Sequence, residues 1–244
     1  MRYAIIADIH SNLAAFTAVL DDIKHQGETE EVWCLGDIIG YGPDPRQCIE
    51  LLRQRNHTAV AGNHDLAVTG KISTFDFNPE AAAACHWTAE QLSPEDIDYL
   101  SSLPLVLQKD DFTLTHGSPR EPVWEYLLST SAAEENFAYF QSQFCLVGHS
   151  HVPLVFEYNE AHTCCLSEFP IDAEIALAKN RLIINPGGVG QPRDGDPRAS
   201  YAIYDSETRT IRHHRIPYDI ETTQVKMREY GLPMRLATRL SYGV

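Results

Sequence analysis

The sequence predicts an α/β fold in which a second β-sheet packs on a first, and two patterns carry this prediction. In the first quarter of the chain, short apolar runs alternate with amphipathic helix patterns, as in the right-handed βαβ units of a largely parallel sheet. After residue 151, strand-like runs follow one another with little helix pattern between them, which favours antiparallel pairing. We expect these later strands to form the second sheet; they lie near 153–158, 181–184, 199–204 and 210–216.

Capping residues mark the two opening strand–helix units. An apolar run at 3–7 is followed by a Ser-Asn pair, which we expect to cap a helix that ends at Gly27. A second run at 31–35 leads through a glycine-rich loop to Asp44-Pro45, where the aspartate is expected to cap a helix with proline at its first position. Each of these two strands is followed at once by polar side chains.

Strand signals disappear between residues 66 and 108. Asn78 and Ser93, each followed by proline, mark the starts of two helices. We therefore interpret about 66–108 as a helical insertion in a single domain that spans 1–244. The insertion is expected beside or over the functional site, although a peripheral pair of structural helices fits the pattern equally well.

Strands resume at 105–107 and 111–115. Ser131 is expected to cap the helix that precedes the next apolar run, 145–147, and a C-terminal helix is expected to begin at Asp219.

The composition excludes several classes of function. The chain of 244 residues has 19 basic and 34 acidic side chains, a formal net charge of −15 and a pI near 5.0. A nucleic-acid groove or an anionic membrane surface needs a basic face, so neither is expected. The first residues lead directly into a strand and no apolar run reaches membrane-spanning length, so we expect a soluble cytoplasmic protein. The six cysteines include no Cys-x-x-Cys pair, which favours buried free thiols.

Metal-competent side chains directly follow five predicted strands. In extended backbone, residues two apart point to the same side, so His149 and His151 can direct both imidazoles into one space. An isolated His-x-His would fit a surface turn, but similar constructions recur at four other strand ends. Sites in open α/β sheets form outside the carboxyl ends of strands, so we expect eight side chains at one edge. They are Asp8, His10, Asp37, Asn63, His64, His116, His149 and His151.

This donor set predicts two metal ions. Two carboxylates, one amide and five imidazoles exceed what one tetrahedral metal needs. They suit two cations about 3.5–4 Å apart that share a carboxylate, an arrangement that recurs in phosphoester hydrolysis. Mixed nitrogen and oxygen donors favour two divalent transition metal ions, Mn, Fe, Zn or Ni, over magnesium.

The order of the motifs Asp-x-His, Gly-Asp, Gly-Asn-His-Asp, His-Gly and Gly-His-Ser-His resembles the calcineurin-like metallophosphoesterase superfamily, from residue 1 to about 190. The resemblance implies a two-sheet β-sandwich flanked by helices, a four-layer αββα fold. It also implies a metal-dependent phosphoesterase in which a hydroxide bridging the metals attacks phosphorus. By the same resemblance, one metal is held by Asp8, His10 and His151, the other by Asn63, His116 and His149, and Asp37 bridges the two.

The resemblance assigns a different role to His64, which contacts the phosphate and protonates or stabilises the leaving group. Arg193, in a glycine-rich loop, would reach a substrate phosphate, and a solvated loop arginine is an equal alternative. Asp65 would either orient His64 or cap the following turn. Tyr41 is placed where a substrate would touch it, but packing is the favoured role.

The substrate class follows from a departure from the family pattern. Ser/Thr protein phosphatases and symmetrical dinucleoside tetraphosphate hydrolases carry Gly-Asp-x-x-Asp-Arg-Gly, whereas Gly40 and Tyr41 replace the second aspartate and the arginine here. We therefore favour a phosphodiesterase or phosphatase for a small phosphoester, nucleotides included. A Ser/Thr protein phosphatase or a dinucleoside polyphosphate hydrolase is the second hypothesis, and a non-catalytic metal-binding scaffold is a third. A metal-dependent amide hydrolase would need a barrel, for which the chain is short.

The other histidines follow no ligand spacing and are interpreted as structural or surface residues; oligomeric state and metal identity are left open by the sequence. These histidines are His25, His57, His86, His162, His213 and His214.

Overall fold

Two mixed β-sheets of six strands each form the centre of the molecule, and eight α-helices accompany them in the described part of the chain. The computed structural model describes residues 1–161 and 163–244. The strands are β1 (Arg2–Ile6), β2 (Glu31–Cys34), β3 (His57–Ala59), β4 (Val106–Lys109), β5 (Phe112–Thr115), β6 (Phe144–Leu146), β7 (Pro153–Tyr158), β8 (Cys164–Glu168), β9 (Glu174–Ala176), β10 (Arg181–Pro186), β11 (Ala199–Asp205) and β12 (Thr210–Ile216). The helices are α1 (Leu13–Gln26), α2 (Pro45–Arg53), α3 (Asn63–Val68), α4 (Pro79–Gln91), α5 (Pro94–Ser102), α6 (Thr130–Asn136), α7 (Ile220–Glu229) and α8 (Met234–Arg239), with a short 3₁₀ helix at Thr74–Asp76.

Local capping interactions explain where several helices begin and end. The Asn12 side chain accepts a hydrogen bond from the Ala15 amide at 3.2 Å, and α1 ends at Gly27, whose φ is +120°. Ser93 and Asp96 form a capping box at the start of α5. These boundaries agree with the predicted ones, because a cap depends on residues that are close in sequence.

The first sheet has the strand order β3-β2-β1-β11-β12-β9, and the second has the order β4-β5-β6-β10-β7-β8. Strands β1, β2 and β3 are parallel, as the opening strand–helix units predict. The prediction that the later strands form a sheet of their own is wrong. β11 pairs antiparallel with β1, while β10 pairs parallel with β6, so the second half of the chain completes both sheets.

The two sheets pack face to face, and helices cover their outer faces. Between the sheets, Trp33 of β2 lies against Phe112 of β5, with ring centroids 5.4 Å apart. Phe16 of α1 is buried on the outer face of the first sheet, and Ala133 of α6 packs with Phe156 on the outer face of the second. Each large apolar side chain buried in these layers contributes about 1.5–3 kcal/mol. The four-layer αββα fold is thus confirmed.

One α-helix and two strands were not predicted. Helix α3 begins at Asn63, directly after a predicted strand, and β8 and β9 are edge strands with mostly exposed side chains. Such strands carry little apolar alternation, which is the pattern that identifies a strand in sequence. The cap of α6 is Ser129 rather than Ser131, because the Ser129 side chain accepts the Ala132 amide.

Helices α3, α4 and α5 occupy most of the segment 66–108 and contact the rest of the molecule closely. Leu100 of α5 and Cys85 of α4 belong to the same buried cluster as Ala4 and Ile6 of β1. The segment therefore covers the first sheet, and α4 reaches the edge where β1 and β2 end. No helix in the described ranges is long and apolar enough to cross a lipid bilayer.

Candidate metal centre

The eight predicted side chains meet at the carboxyl ends of strands from both sheets. Asp8 and His10 follow β1, Asp37 follows β2, and the start of α3 follows β3. The other three follow β5 and β6 of the second sheet. The expectation of one edge in one sheet is therefore corrected to the adjoining edges of two sheets. All eight are buried, with no more than 4% exposure.

Left-handed backbone, and not extended backbone, directs most of these side chains inward. His149 and His151 have φ values of +63° and +59°, which corrects the prediction that both lie in extended chain. Asp8, His10 and Asp37 have φ values of +55°, +49° and +53°. Residues other than glycine rarely adopt this region, and such strain, about 1–3 kcal/mol each, is concentrated at functional sites.

Glycines leave space where the loops meet. A Cβ atom on Gly62 would lie 2.0 Å from Asp37 Oδ1, and one on Gly40 would lie 2.4 Å from His64 Nδ1. Both neighbours are buried, so the added atom would have to displace them. These two positions therefore require glycine so that the backbone can approach the buried polar groups.

Asp8, His10 and His151 form the first cluster. His151 Nε2 lies 3.3 Å from Asp8 Oδ1 and 3.2 Å from His10 Nε2. One donor atom from each residue lies within 4.8 Å of the others, a spacing that fits a metal ion.

His116, His149 and Asn63 form the second cluster, and Asp37 lies between the two. His116 Nε2 is 3.1 Å from both Asn63 Oδ1 and His149 Nδ1. Asp37 Oδ2 is 3.4 Å from His116 Nε2 and 3.5 Å from His10 Nε2, so a single carboxylate oxygen faces both clusters.

Backbone carbonyls hold the four histidines of these clusters with their lone pairs inward. His10 Nδ1 and His116 Nδ1 donate to the Ile39 and Leu35 carbonyls at 3.1 and 2.8 Å. The other two rings donate likewise: His151 Nδ1 to Gln191 O, and His149 Nε2 to Trp124 O at 3.2 Å. In a neutral ring, this hydrogen bond leaves the nitrogen that faces the other rings without a proton, and Asp8 Oδ2 is buried without a hydrogen-bond partner in the described residues. Such a convergence of electron pairs fits divalent cations, whose ligands must be deprotonated.

The protonation of the metal-free residues agrees with this interpretation. Burial raises the pKa of Asp8 to about 7. Burial alone would lower the pKa of His116, but the charge of Asp37 and its hydrogen bond raise it to about 9. Burial also opposes ionisation of Asp37, yet the charges of His116 and His64 hold its pKa well below the usual range. A proton on His116 thus lies where a cation would bind and provides part of the positive charge that the cation would supply.

Comparison with known proteins identifies the family. The model of the calcineurin-like phosphoesterase superfamily domain matches residues 1–209. The chain belongs to this superfamily. It is a hydrolase that acts on phosphoester bonds.

Two similar proteins match the phosphoesterase over nearly its whole length. An uncharacterised protein of Methanocaldococcus jannaschii is 40% identical over 245 residues, which cover 98% of this chain and 97% of that protein. The crystal structure of a metallophosphoesterase from Sphaerobacter thermophilus has a TM-score of 0.91 and 46% identity, and the match covers 100% of both chains.

A more distant relative matches over a shorter region. The symmetrical bis(5'-nucleosyl)-tetraphosphatase of Haemophilus ducreyi is 26% identical over 158 residues, which cover 58% of this chain and 54% of that enzyme. The phosphoesterase thus matches only about half of that relative's length.

His64 lies at the edge of the metal clusters and is surrounded by rings. Its ring centroid is 4.8 Å from that of His10, 4.3 Å from Tyr41 and 5.0 Å from Phe77. A ring nitrogen of His64 lies within 4.8 Å of donor atoms of His10 and Asp37. Burial, with smaller contributions from neighbouring charges, lowers its pKa to about 4.

Asp65 supports the loop that carries Asp37. Its Oδ2 accepts hydrogen bonds from the amides of Asp37 and Gly62, both at 2.9 Å, and its Oδ1 accepts one from Ile39 at 3.3 Å. Of the two alternatives for this residue, the contacts favour the capping role over orientation of His64. Because it joins the loop after β2 to the start of α3, it keeps two metal-facing segments together.

Arg193 lies beside the centre in the loop that follows β10. Its guanidinium carbon is 5.9 Å from the ring centroid of Tyr41, and Nη2 donates to Gln191 Oε1 at 3.1 Å. Nε is buried and has no hydrogen-bond partner among the described residues. Tyr41 is buried against helices α4, α7 and α8, in agreement with the packing role.

The five other histidines that the structure describes belong to none of the metal-competent groups, and several functional contacts were not predicted. His57 and Tyr99 form a hydrogen bond at 2.8 Å, and His213 contacts Ser200. The carbonyls that orient the ligands left no sequence signal, because any residue supplies one. Cys85, which contacts His64, was predicted only to lie on a helix. His25, His86 and His214 belong to none of the metal-competent groups, and His162 lies outside the described residues.

Proposed function

We propose that this phosphoesterase hydrolyses a small phosphodiester or phosphomonoester at a centre of two divalent transition metal ions, Mn, Fe, Zn or Ni. The observation that carries the proposal is the convergence of imidazole nitrogens and buried carboxylate oxygens at the joined sheet edges. Each of the two clusters would suit one metal, and one carboxylate oxygen of Asp37 faces both clusters.

The proposed ligand sets follow the two clusters. Asp8, His10 and His151 would hold one metal; Asn63, His116 and His149 would hold the other; Asp37 would bridge them. When bound, the cations supply Lewis acidity, which stabilises negative charge on phosphate oxygens and increases the nucleophilicity of water. The ring hydrogen bonds to backbone carbonyls fix the orientation of each imidazole, which favours binding of the metals over solvation of the ligands.

His64 is proposed as the residue that contacts the phosphate and protonates or stabilises the leaving group. Five of the eight side chains are histidines. Within the described ranges, His64 is the one of these five whose ring makes no hydrogen bond to a backbone carbonyl. Its ring lies beside that of His10, so a phosphate bound at the metals would be within its reach. General acid or hydrogen-bond assistance of this kind contributes typically about 10²–10⁴-fold to the rate.

Arg193 is proposed to bind a substrate phosphate. Its guanidinium makes no ion pair in the described ranges, although the protein carries a net charge of −15. A buried guanidinium nitrogen without an acceptor costs free energy that an anionic oxygen would recover.

Aromatic side chains beside the centre support a substrate with a planar group, such as a nucleotide. Tyr126 stacks on His149 at 4.0 Å and is 47% exposed. Trp124 contacts Phe77 at 5.1 Å, and Phe77 in turn contacts His64. Rings of this kind bind nucleobases by stacking. This observation, with the tetraphosphatase relatives, supports dinucleoside polyphosphate hydrolysis as the second candidate function.

The test compares bis(p-nitrophenyl) phosphate with p-nitrophenyl phosphate, before and after manganese loading of chelator-stripped protein. We expect metal-dependent hydrolysis, faster for the diester. His64→Ala should retain two metals per chain, because His64 is not a proposed ligand. Its kcat should fall by about 10²–10⁴-fold, because the leaving group is no longer assisted. Metal-loaded protein inactive on both esters and on diadenosine tetraphosphate would contradict the proposed function and favour the scaffold hypothesis.

A further inference from the structure

His64 receives one side-chain contact in hydrogen-bonding range among the described residues, and its partner is a thiol. Cys85 Sγ lies 3.3 Å from His64 Nδ1, within the distance that sulfur allows. Both side chains are buried, with exposures of 1% and 2%. Cys85 comes from α4, so the segment between the third and fourth strands supplies this contact to the centre.

The chemistry of the two groups indicates which is the donor. Burial raises the pKa of the Cys85 thiol to about 12, so sulfur keeps its proton at neutral pH. An unprotonated imidazole nitrogen is a strong acceptor, whereas thiol sulfur is a weak one. The favoured arrangement has the thiol donating to Nδ1, which leaves the single ring proton of neutral His64 on Nε2.

We propose that Cys85 is a positioning residue that keeps His64 in the Nε2–H form. His64 then acts on the phosphoester as a hydrogen-bond donor that stabilises the leaving oxygen, and not as an acid that transfers a proton. This inference rests on the proposed role of His64 and chooses between the two forms of that role. The P–O bond breaks, and the leaving oxygen departs as an anion that takes its proton from water. No bond to hydrogen breaks at His64 or Cys85 in this scheme, so the thiol remains a thiol throughout turnover.

The surroundings of His64 make the thiol contact decisive. Gly40 lies against the same Nδ1 atom, where even a Cβ would approach to 2.4 Å, so no water has room on that side. Tyr41 and Phe77 face the ring through their own rings. The Asp37 carboxylate lies within 4.8 Å of a ring nitrogen, but among the described residues the thiol is the one hydrogen-bond partner of the ring. Without the thiol, Nδ1 would lose its donor.

The test uses Cys85→Ser, Cys85→Ala and, as a matched control, Cys48→Ala. Cys48 is a buried thiol on α2 in the same hydrophobic cluster, but it makes no contact with His64. Two-bond ¹H–¹⁵N correlation spectra of the zinc-loaded proteins report the tautomer, with the His64 signal assigned by its loss in His64→Ala. We expect the Nε2–H form in wild type, Cys85→Ser and Cys48→Ala, and a tautomer mixture in Cys85→Ala.

Kinetics provide the second readout. Cys85→Ala should lose roughly fivefold to tenfold in kcat on phenyl esters with KM and metal content unchanged, because one hydrogen bond is lost. Cys85→Ser should recover most of this loss, and Cys48→Ala should match wild type. A wild-type proton on Nδ1, an unchanged tautomer in Cys85→Ala, or an unchanged kcat would overturn the proposal. Absence of any hydrolysis would contradict the proposed function instead, because the tautomer is measured without turnover.

Discussion

Asp37 is the residue on which most interactions of the candidate centre depend. One of its oxygens faces both clusters, and the other accepts a hydrogen bond from the His64 amide at 2.9 Å. Its charge also raises the pKa of His116 against the effect of burial. The same carboxylate therefore orders the loop at the start of α3 and places negative charge beside both clusters.

Asp37→Asn tests this dual role. We expect metal affinity to fall by at least about tenfold to 100-fold, because even residues that only orient a ligand have effects of this size. Metal content per chain, measured after dialysis against limiting manganese, gives the answer. Asp44→Asn is the matched control, since Asp44 is a buried aspartate that pairs with Lys226 outside the centre. If Asp37→Asn still binds two metals tightly, the proposal that Asp37 bridges them is wrong.

At the scale of elements, the loops that follow the strands determine the geometry of the centre. Five of the proposed ligands have positive φ values, and glycines lie where two loops touch. The strained backbone is held by neighbouring segments: the Asp8 amide donates to Gly36 O at 3.0 Å, and the His10 amide donates to Asp37 O at 2.9 Å. The loops after β1 and β2 are therefore mutually dependent.

Gly62→Ala tests the contact between the loops after β2 and β3. The added methyl group would lie 2.0 Å from Asp37 Oδ1, so the carboxylate must move from its position between the two clusters. We expect a destabilisation of about 1–3 kcal/mol and lower metal content. Gly70→Ala is the control, because a Cβ there meets nothing within 4 Å, although its φ of +73° carries a smaller cost. Equal metal content in both variants would show that Asp37 tolerates displacement.

The elements also show what could be predicted from sequence. The starts of α1, α4 and α5 were predicted because each depends on a capping side chain, which proline follows in α4 and α5. The residues that meet at the candidate centre were predicted by their position after strands, and their roles as ligands are what the family resemblance implies. The left-handed backbone at His149 and His151 was not predicted, since its strain is compensated by contacts distant in sequence.

Strand pairing was the main feature that sequence reasoning missed at the scale of the whole molecule. The antiparallel character of the last strands is local, but the choice of partner is not: β11 joins β1 and β10 joins β6 across more than 30 residues. Cys85 was missed for the same reason, because only the packing of α4 brings its thiol to His64.

His213 hydrogen-bonds to the serine that links the two sheets, and its pKa predicts how stability depends on pH. Ser200 Oγ donates to Pro186 O of the second sheet at 2.6 Å, so it must accept its 2.8 Å hydrogen bond from His213 Nε2. Burial, and then the charge of Arg215, lowers the pKa of His213 to about 4. The unfolded chain, with a usual value of about 6.5, binds more protons between these two values. Stability therefore falls as pH decreases through this window.

His213→Gln should reduce this pH dependence. We expect the loss in unfolding free energy between pH 7 and pH 4.5 to be smaller by about 1–3 kcal/mol than in wild type. Urea unfolding of chelator-stripped protein at both pH values measures the difference. His25→Gln, at an exposed position, should behave like wild type. The same pH dependence in His213→Gln would assign the acid sensitivity to other buried groups.

The burial of the ligands at the junction of two sheets has a kinetic consequence for metal supply. Every proposed ligand is at most 4% exposed, so little of an ion held between these side chains would be open to exchange with solvent. Exchange should then be slow, and affinity alone would not select the ion. The metal found in purified protein would instead record which ion was abundant while the chain was folding, and expression medium would matter more than later dialysis.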